Sequence, residues 1–129
     1  MDLLRSRLRE LVMVLGIGTI AFGIGPVLAP RWFGRMFAIP VDTDPRLLVM
    51  VRSVGVRDAL IGLGLLRAAA RREDYGPWLL ARVGCDLGDT LAVAIAIRSG
   101  SRQPKFVALG VIALLATLVG LALSRVRAR

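Results

Sequence analysis

The chain has 129 residues, 56% of them hydrophobic, and a formal net charge of +9 from 17 Arg and one Lys against nine acids. That apolar share exceeds an average soluble domain even before its 14 glycines are counted. With no His and a single Cys, the commonest metal ligand, the commonest acid–base group and dithiol redox chemistry are all missing, so no metal or cofactor is expected.

Taken in chain order, Arg5, Arg7 and Arg9 precede an apolar run from Leu11 to Ala29. This resembles a secretory signal, but the run is longer than the usual core of about 7–15 residues and no clean small-x-small cleavage site follows. A retained first helix over about 11–29 is expected, kinked or frayed at Gly25-Pro26. Between Pro30 and Pro40, Trp32, Phe33, Met36 and Phe37 alternate with Arg31 and Arg35, as in a short amphipathic segment lying in a membrane interface. Asp42 and Asp44 mark a polar turn; Asp44 is placed to cap the second long helix, with Pro45 at its first position.

The second span, about 47–70, contains LLVMVRSVGVRDALIGLGLL, with Arg52, Arg57 and Asp58 inside it. The third, about 77–97, reads PWLLARVGCDLGDTLAVAIAI, with Arg82, Asp86 and Asp89 inside it and Tyr75 and Trp78 where an aromatic belt belongs. The fourth, about 105–124, includes 18 charge-free residues from Phe106 to Leu123, long enough to cross a bilayer. A soluble bundle would show a charged stripe on every helix. Short connections at 71–76 and 99–104 force antiparallel neighbours. The expected fold is therefore all-α: one integral membrane domain over 1–129, a four-helix transmembrane bundle, up-down-up-down.

Arg5, Arg7, Arg9, Arg67, Arg71, Arg72, Arg125, Arg127 and Arg129 fall on one side of this bundle. Arg31, Arg35, Arg46, Arg98, Arg102 and Lys105 fall on the other. The excess of basic residues places both termini in the cytoplasm, with the chain in the plasma (inner) membrane. Anionic lipid headgroups are the natural partners of these arginines. Nucleic acid is not expected, since no basic face with groove-reading or stacking elements is visible.

A charge at the bilayer centre costs roughly 2.5–3.5 kcal/mol even on the lenient insertion scale. Six such groups must face one another, water or a ligand. Arg82, Asp86 and Asp89 share one helix face by their spacing of four and three. Arg52, Gly55, Asp58 and Gly62 share a broad face of the second span, with Arg57 pointing away. Equal helical rise from the cytoplasmic ends places Arg57 level with Asp86, Arg52 near Asp89 and Asp58 near Arg82, and also permits Arg82–Asp86 within one helix. Three positive and three negative groups would neutralise one another. One use of such a ladder is to fix helix register, which buried ion pairs do without adding much stability; another is a ligand or proton site.

Gly84-x-x-x-Gly88, the recurrences Gly16/Gly23 and Gly18/Gly25, and the stripe Ala113, Ala116, Thr117, Gly120 all permit close helix packing, inside one bundle or in a homodimer. Gly16-Ile-Gly18 is not a nucleotide loop, lacking a preceding strand and a phosphate-binding Lys. Cys85 is expected to pack as a small apolar residue.

Almost the whole chain is similar to small bacterial four-span families of unknown function, loosely DoxX-like. The resemblance lies in the Pro30-Arg-Trp-Phe-Gly-Arg-Met-Phe-Ala-Ile-Pro40 connection, the Arg52-x-x-Gly55-x-Arg57-Asp58-x-x-x-Gly62-Leu segment, and Asp86 or Asp89 after a glycine. It implies a four-helix membrane bundle and no settled activity. The redox roles suggested for some DoxX relatives gain no support from one cysteine and no histidine.

The working expectation is a small membrane protein that binds or transports a small polar or anionic amphipathic ligand through Arg52, Arg57, Asp58, Arg82, Asp86 and Asp89. One alternative is a cofactor-independent intramembrane enzyme of isomerase, cyclase or epoxide-opening type, with Asp58, Asp86 or Asp89 as general acid. The other is a non-catalytic subunit whose charges only fix packing.

Overall fold

In the computed structural model, which describes residues 2–127, the chain is all helical: α1 (Asp2–Leu28), α2 (Pro30–Met36), α3 (Arg46–Ala70), α4 (Gly76–Arg98) and α5 (Pro104–Arg127). The four long helices coincide with the four apolar runs. α1 starts well before its run, because Arg5, Arg7 and Arg9 carry no helix-breaking chemistry, and it continues through Pro26 to Leu28.

The helix ends follow from local chemistry. Asp44 Oδ1 accepts the Arg46 backbone N–H at 3.0 Å, and Asp74 Oδ1 accepts that of Gly76 at 2.8 Å, so each carboxylate satisfies one of the orphan donors of a helix start. Pro77 lies in the first turn of α4, where its missing N–H costs nothing. α2, α3 and α4 end in the same way. The residue after each cap turns left-handed (Ala38 φ 57, Arg72 φ 60, Gly100 φ 109), and the next N–H returns to a carbonyl five residues back: Ile39 to Gly34, Glu73 to Ala68, Ser101 to Ala96. Gly100 does this freely, while at Ala38 and Arg72 the Cβ costs about 1–2 kcal/mol.

α1 and α3 form the tightest pair, and glycines are the reason. A Cβ on Gly23 would lie 2.6 Å from the Gly55 carbonyl oxygen, and one on Gly62 would lie 2.7 Å from that of Gly16. Moving seven residues forward on α1 moves seven backward on α3, so the two run antiparallel with their backbones nearly touching. α4 and α5 form a second antiparallel pair, Gly110 against Val93 and Gly120 against Val83. Contact between the pairs is slight: α3 meets α4 where Trp78 lies over Gly64, where Leu79 packs among Ile61, Leu65 and Ala69, and at one ion pair. Gly18, Gly84 and Gly88 face open space, whereas Gly16, Gly23, Gly25 and Gly120 lie against neighbouring residues of the chain.

Two apolar clusters close the ends. Val12, Ile61, Leu65, Ala69 and Leu79 fill one; Phe33, Phe37, Val41 and Val51 fill the other. The 30–40 segment is amphipathic as expected, but its apolar residues divide. Phe33 and Phe37 turn inward onto Phe22, with ring centroids 4.9–6.4 Å apart, while Trp32 and Met36 stay outside. Arg31 and Arg35 hold the exposed side through Asp42, at 3.9 and 3.3 Å.

Among the described residues, two helices are long and apolar enough to cross a membrane, Arg5–Leu28 and Pro104–Arg125. α3 and α4 carry the internal charges.

Candidate functional site

The charges collect where the two helix pairs separate. Arg57 reaches from α3 to α4 and grips Asp89 with both terminal nitrogens, Nη1–Oδ1 at 3.1 Å and Nη2–Oδ2 at 2.6 Å. The same guanidinium donates to Asp58 Oδ1 through Nε at 3.1 Å and Nη2 at 3.0 Å. A planar guanidinium holds one carboxylate by both oxygens while donating to a second, a fixed bidentate geometry that an ammonium lacks. On α4, Arg82 Nε donates to Asp86 Oδ2 at 2.7 Å across one turn. Asp58 and Asp86 side chains are each 5% exposed and Arg82 11%; Arg57 and Asp89 stand at the edge, at 30% and 36%.

This departs from the pairing expected by depth. Arg57 meets Asp89, not Asp86: its long side chain reaches three residues, roughly 4.5 Å, further along the partner. Asp86 takes the local partner the spacing allowed. Asp58 pairs with its sequence neighbour rather than Arg82. Arg57, placed by its spacing on the far side of α3, folds back over Asp58 to reach α4.

Arg52 does not join. It is exposed, on the outer surface of α3 beside Val49, Ser53 and Val56, and makes no ion pair among the described residues. The expected neutral set of six is therefore a set of five, two guanidiniums against three carboxylates.

Beside these groups lies a cavity of about 240 Å³. Asp58, Arg82, Asp86 and Asp89 form its polar wall, and Phe22, Phe33, Val51, Phe106, Leu109 and Ile112 are among its apolar walls. Engineered apolar cavities of about 150 Å³ already accept benzene, so this one has room for a small organic molecule or the end of a larger one. Ala92, Ala113 and Ala116 also line it; small side chains facing one another across the gap leave it unfilled. The sequence showed the Ala113/Ala116 stripe, but as packing surface. Which aromatic rings bound the space could not be read from spacing.

The network does not satisfy itself. Arg82 Nη1 is enclosed and has no hydrogen-bond partner among the described residues, and such an orphaned buried donor is costly. The hydroxyls nearby are occupied: half-buried Thr90 donates to the Asp86 carbonyl at 2.7 Å and buried Thr117 to that of Ala113 at 2.9 Å. Among the described residues, no group of three or more acidic or thiol side chains is placed to hold a metal ion. Comparison with family models, characterised proteins and solved structures gives no match for this chain.

Proposed function

We propose that the chain is a four-span membrane protein whose central cavity binds or carries a small amphipathic molecule, the apolar part against the aromatic walls and the polar head beside the carboxylates. The cavity lying against a buried charge cluster carries this reading. Such clusters mark ligand and ion pathways when they occur within membranes.

Several observations support the membrane part. Leu60, Leu63, Leu80, Leu91, Ile95 and Leu118 are all more than half exposed, on three different helices. In water that surface is an aggregation hazard; in lipid it is the expected covering. The charges of α3 and α4, which set these helices apart from α1 and α5, turn towards each other and not towards that surface. Arg52 is the exception, and it lies only six residues from the start of α3, about 9 Å along the axis, within reach of the headgroups by snorkelling. The basic excess at both termini and at 71–72 supports a cytoplasmic position for those segments. The resemblance of the 30–40 and 52–63 segments to DoxX-like families is part of the same proposal.

A purely structural role for the charges would call for a dry, fully paired network without a cavity. The open space beside the carboxylates speaks for a ligand instead. A second reading draws on the same site: Asp58, Asp86 and Asp89 in the wall of a largely apolar pocket suit acid catalysis on a lipid-like substrate, and turnover without added cofactor would distinguish it from binding alone.

Protein extracted gently from membranes should retain a small amphiphile that mass spectrometry recovers. Ala116→Phe, which fills the cavity, should abolish its retention, and Asp86→Asn should weaken it while the bundle still assembles. Equal recovery from wild type and both variants would overturn the proposal.

A further inference from the structure

We infer that the head group accepted by this cavity is an ammonium, so that the ligand is an amphipathic amine and not an acid. This rests on the ligand-binding reading above and adds the sign of the ligand's charge. The first ground is the charge balance. With Arg52 on the outer surface of α3, the cluster has Arg57 and Arg82 against Asp58, Asp86 and Asp89. Within a low-dielectric interior the surplus carboxylate lacks a counter-charge, and a cation arriving with an apolar tail supplies one.

The second ground is which atoms remain open. Among the described residues, Asp58 Oδ2 and Asp86 Oδ1 accept no hydrogen bond and neither is enclosed. Both residues line the cavity. On the one guanidinium in the wall, Nε is committed to Asp86 and Nη1 is enclosed, which leaves Nη2 as the accessible donor. Arg57 does not line the cavity; all three of its nitrogens already donate to Asp58 or Asp89. The open polar surface thus offers two acceptors for one donor. An ammonium with three N–H groups can meet both carboxylates. A carboxylate head would face two of its own kind with a single donor to hold it.

The protein as a whole works against casual adsorption of cations. Its net charge is +9, which attracts anionic amphiphiles to the surface and repels cationic ones. A preference for an amine therefore reports the cavity.

The test uses the full chain in nanodiscs of phosphatidylcholine, titrated calorimetrically with octylammonium, octanol and octanoate. Octylammonium should bind wild type at least about tenfold more tightly than either of the others. Ala116→Phe should lose that binding, and Asp86→Asn should bring octylammonium and octanol close together. If octanoate or octanol binds wild type as tightly as octylammonium and Ala116→Phe removes it, the sign of the charge is wrong and the ligand-binding reading survives. If no probe binds wild type better than Ala116→Phe, both fail. The wild-type ranking decides the sign even if Asp86→Asn does not fold.

Discussion

Arg57→Leu should destabilise the protein by roughly 3–5 kcal/mol, the usual cost of removing one partner from a buried ion pair. Its guanidinium is the shared partner of Asp58 and Asp89. Asp58, 5% exposed, would be left with no direct partner in the interior. Asp89, at the edge, would lose a bidentate grip. Because α3 and α4 otherwise touch only lightly, the loss should also loosen the two helix pairs from each other. Arg57→Lys should fall between wild type and Leu, since one ammonium cannot present a fork to both acids. Reversible unfolding in mixed micelles measures this. An unchanged unfolding midpoint for Arg57→Leu would mean that the ion pairs do not hold the helices.

Gly23→Ala should be nearly as damaging, although it adds one methyl group. The new Cβ would lie 2.6 Å from both the Gly55 carbonyl oxygen and the Ala59 backbone nitrogen. Neither atom belongs to a side chain that can turn aside, so α1 and α3 must move apart along their closest contact. Overpacking typically costs about 1–3 kcal/mol, and here the displacement is of whole helices, which places the effect at the upper end. Gly18→Ala is the control: its Cβ meets nothing within 4 Å, and the better helix propensity of Ala leaves the variant neutral or slightly stabilised, by up to about 1 kcal/mol. Equal unfolding midpoints for the two variants would show that close backbone approach is not what binds α1 to α3.

Helix boundaries were the most legible part of this chain. Asp44 and Pro77 announce starts through hydrogen bonds and dihedral limits that act within a few residues. The start of α1 was less legible, because an apolar run defines burial and not helicity; Arg5 to Arg9 extend the helix without joining the apolar stretch. The charged positions were visible as a group, for a charge inside an apolar run is conspicuous whatever its partner. Their partners were not. Helical rise fixes depth but not how far an arginine leans, and a lean of three residues exchanged Asp86 for Asp89 at Arg57. Arg52 shows the same limit in rotation: it shares a broad face with Asp58 by spacing, yet the α1–α3 contact through Gly23 and Gly55 turns it outward. The cavity was the least legible feature, since it arises from what four helices and α2 fail to fill together.

The account depends on α3 and α4 crossing the membrane despite their charges. Impermeant maleimide labelling of single cysteines, in a Cys85→Ser background, tests this directly. Thr43→Cys, Glu73→Cys and Ser101→Cys place thiols at exposed positions in the three connections. Four crossings predict that 43 and 101 react in intact cells, and that 73 reacts only after the membrane is opened. If 73 labels from the same side as 43 and 101, only α1 and α5 cross, and the charged helices lie outside the bilayer.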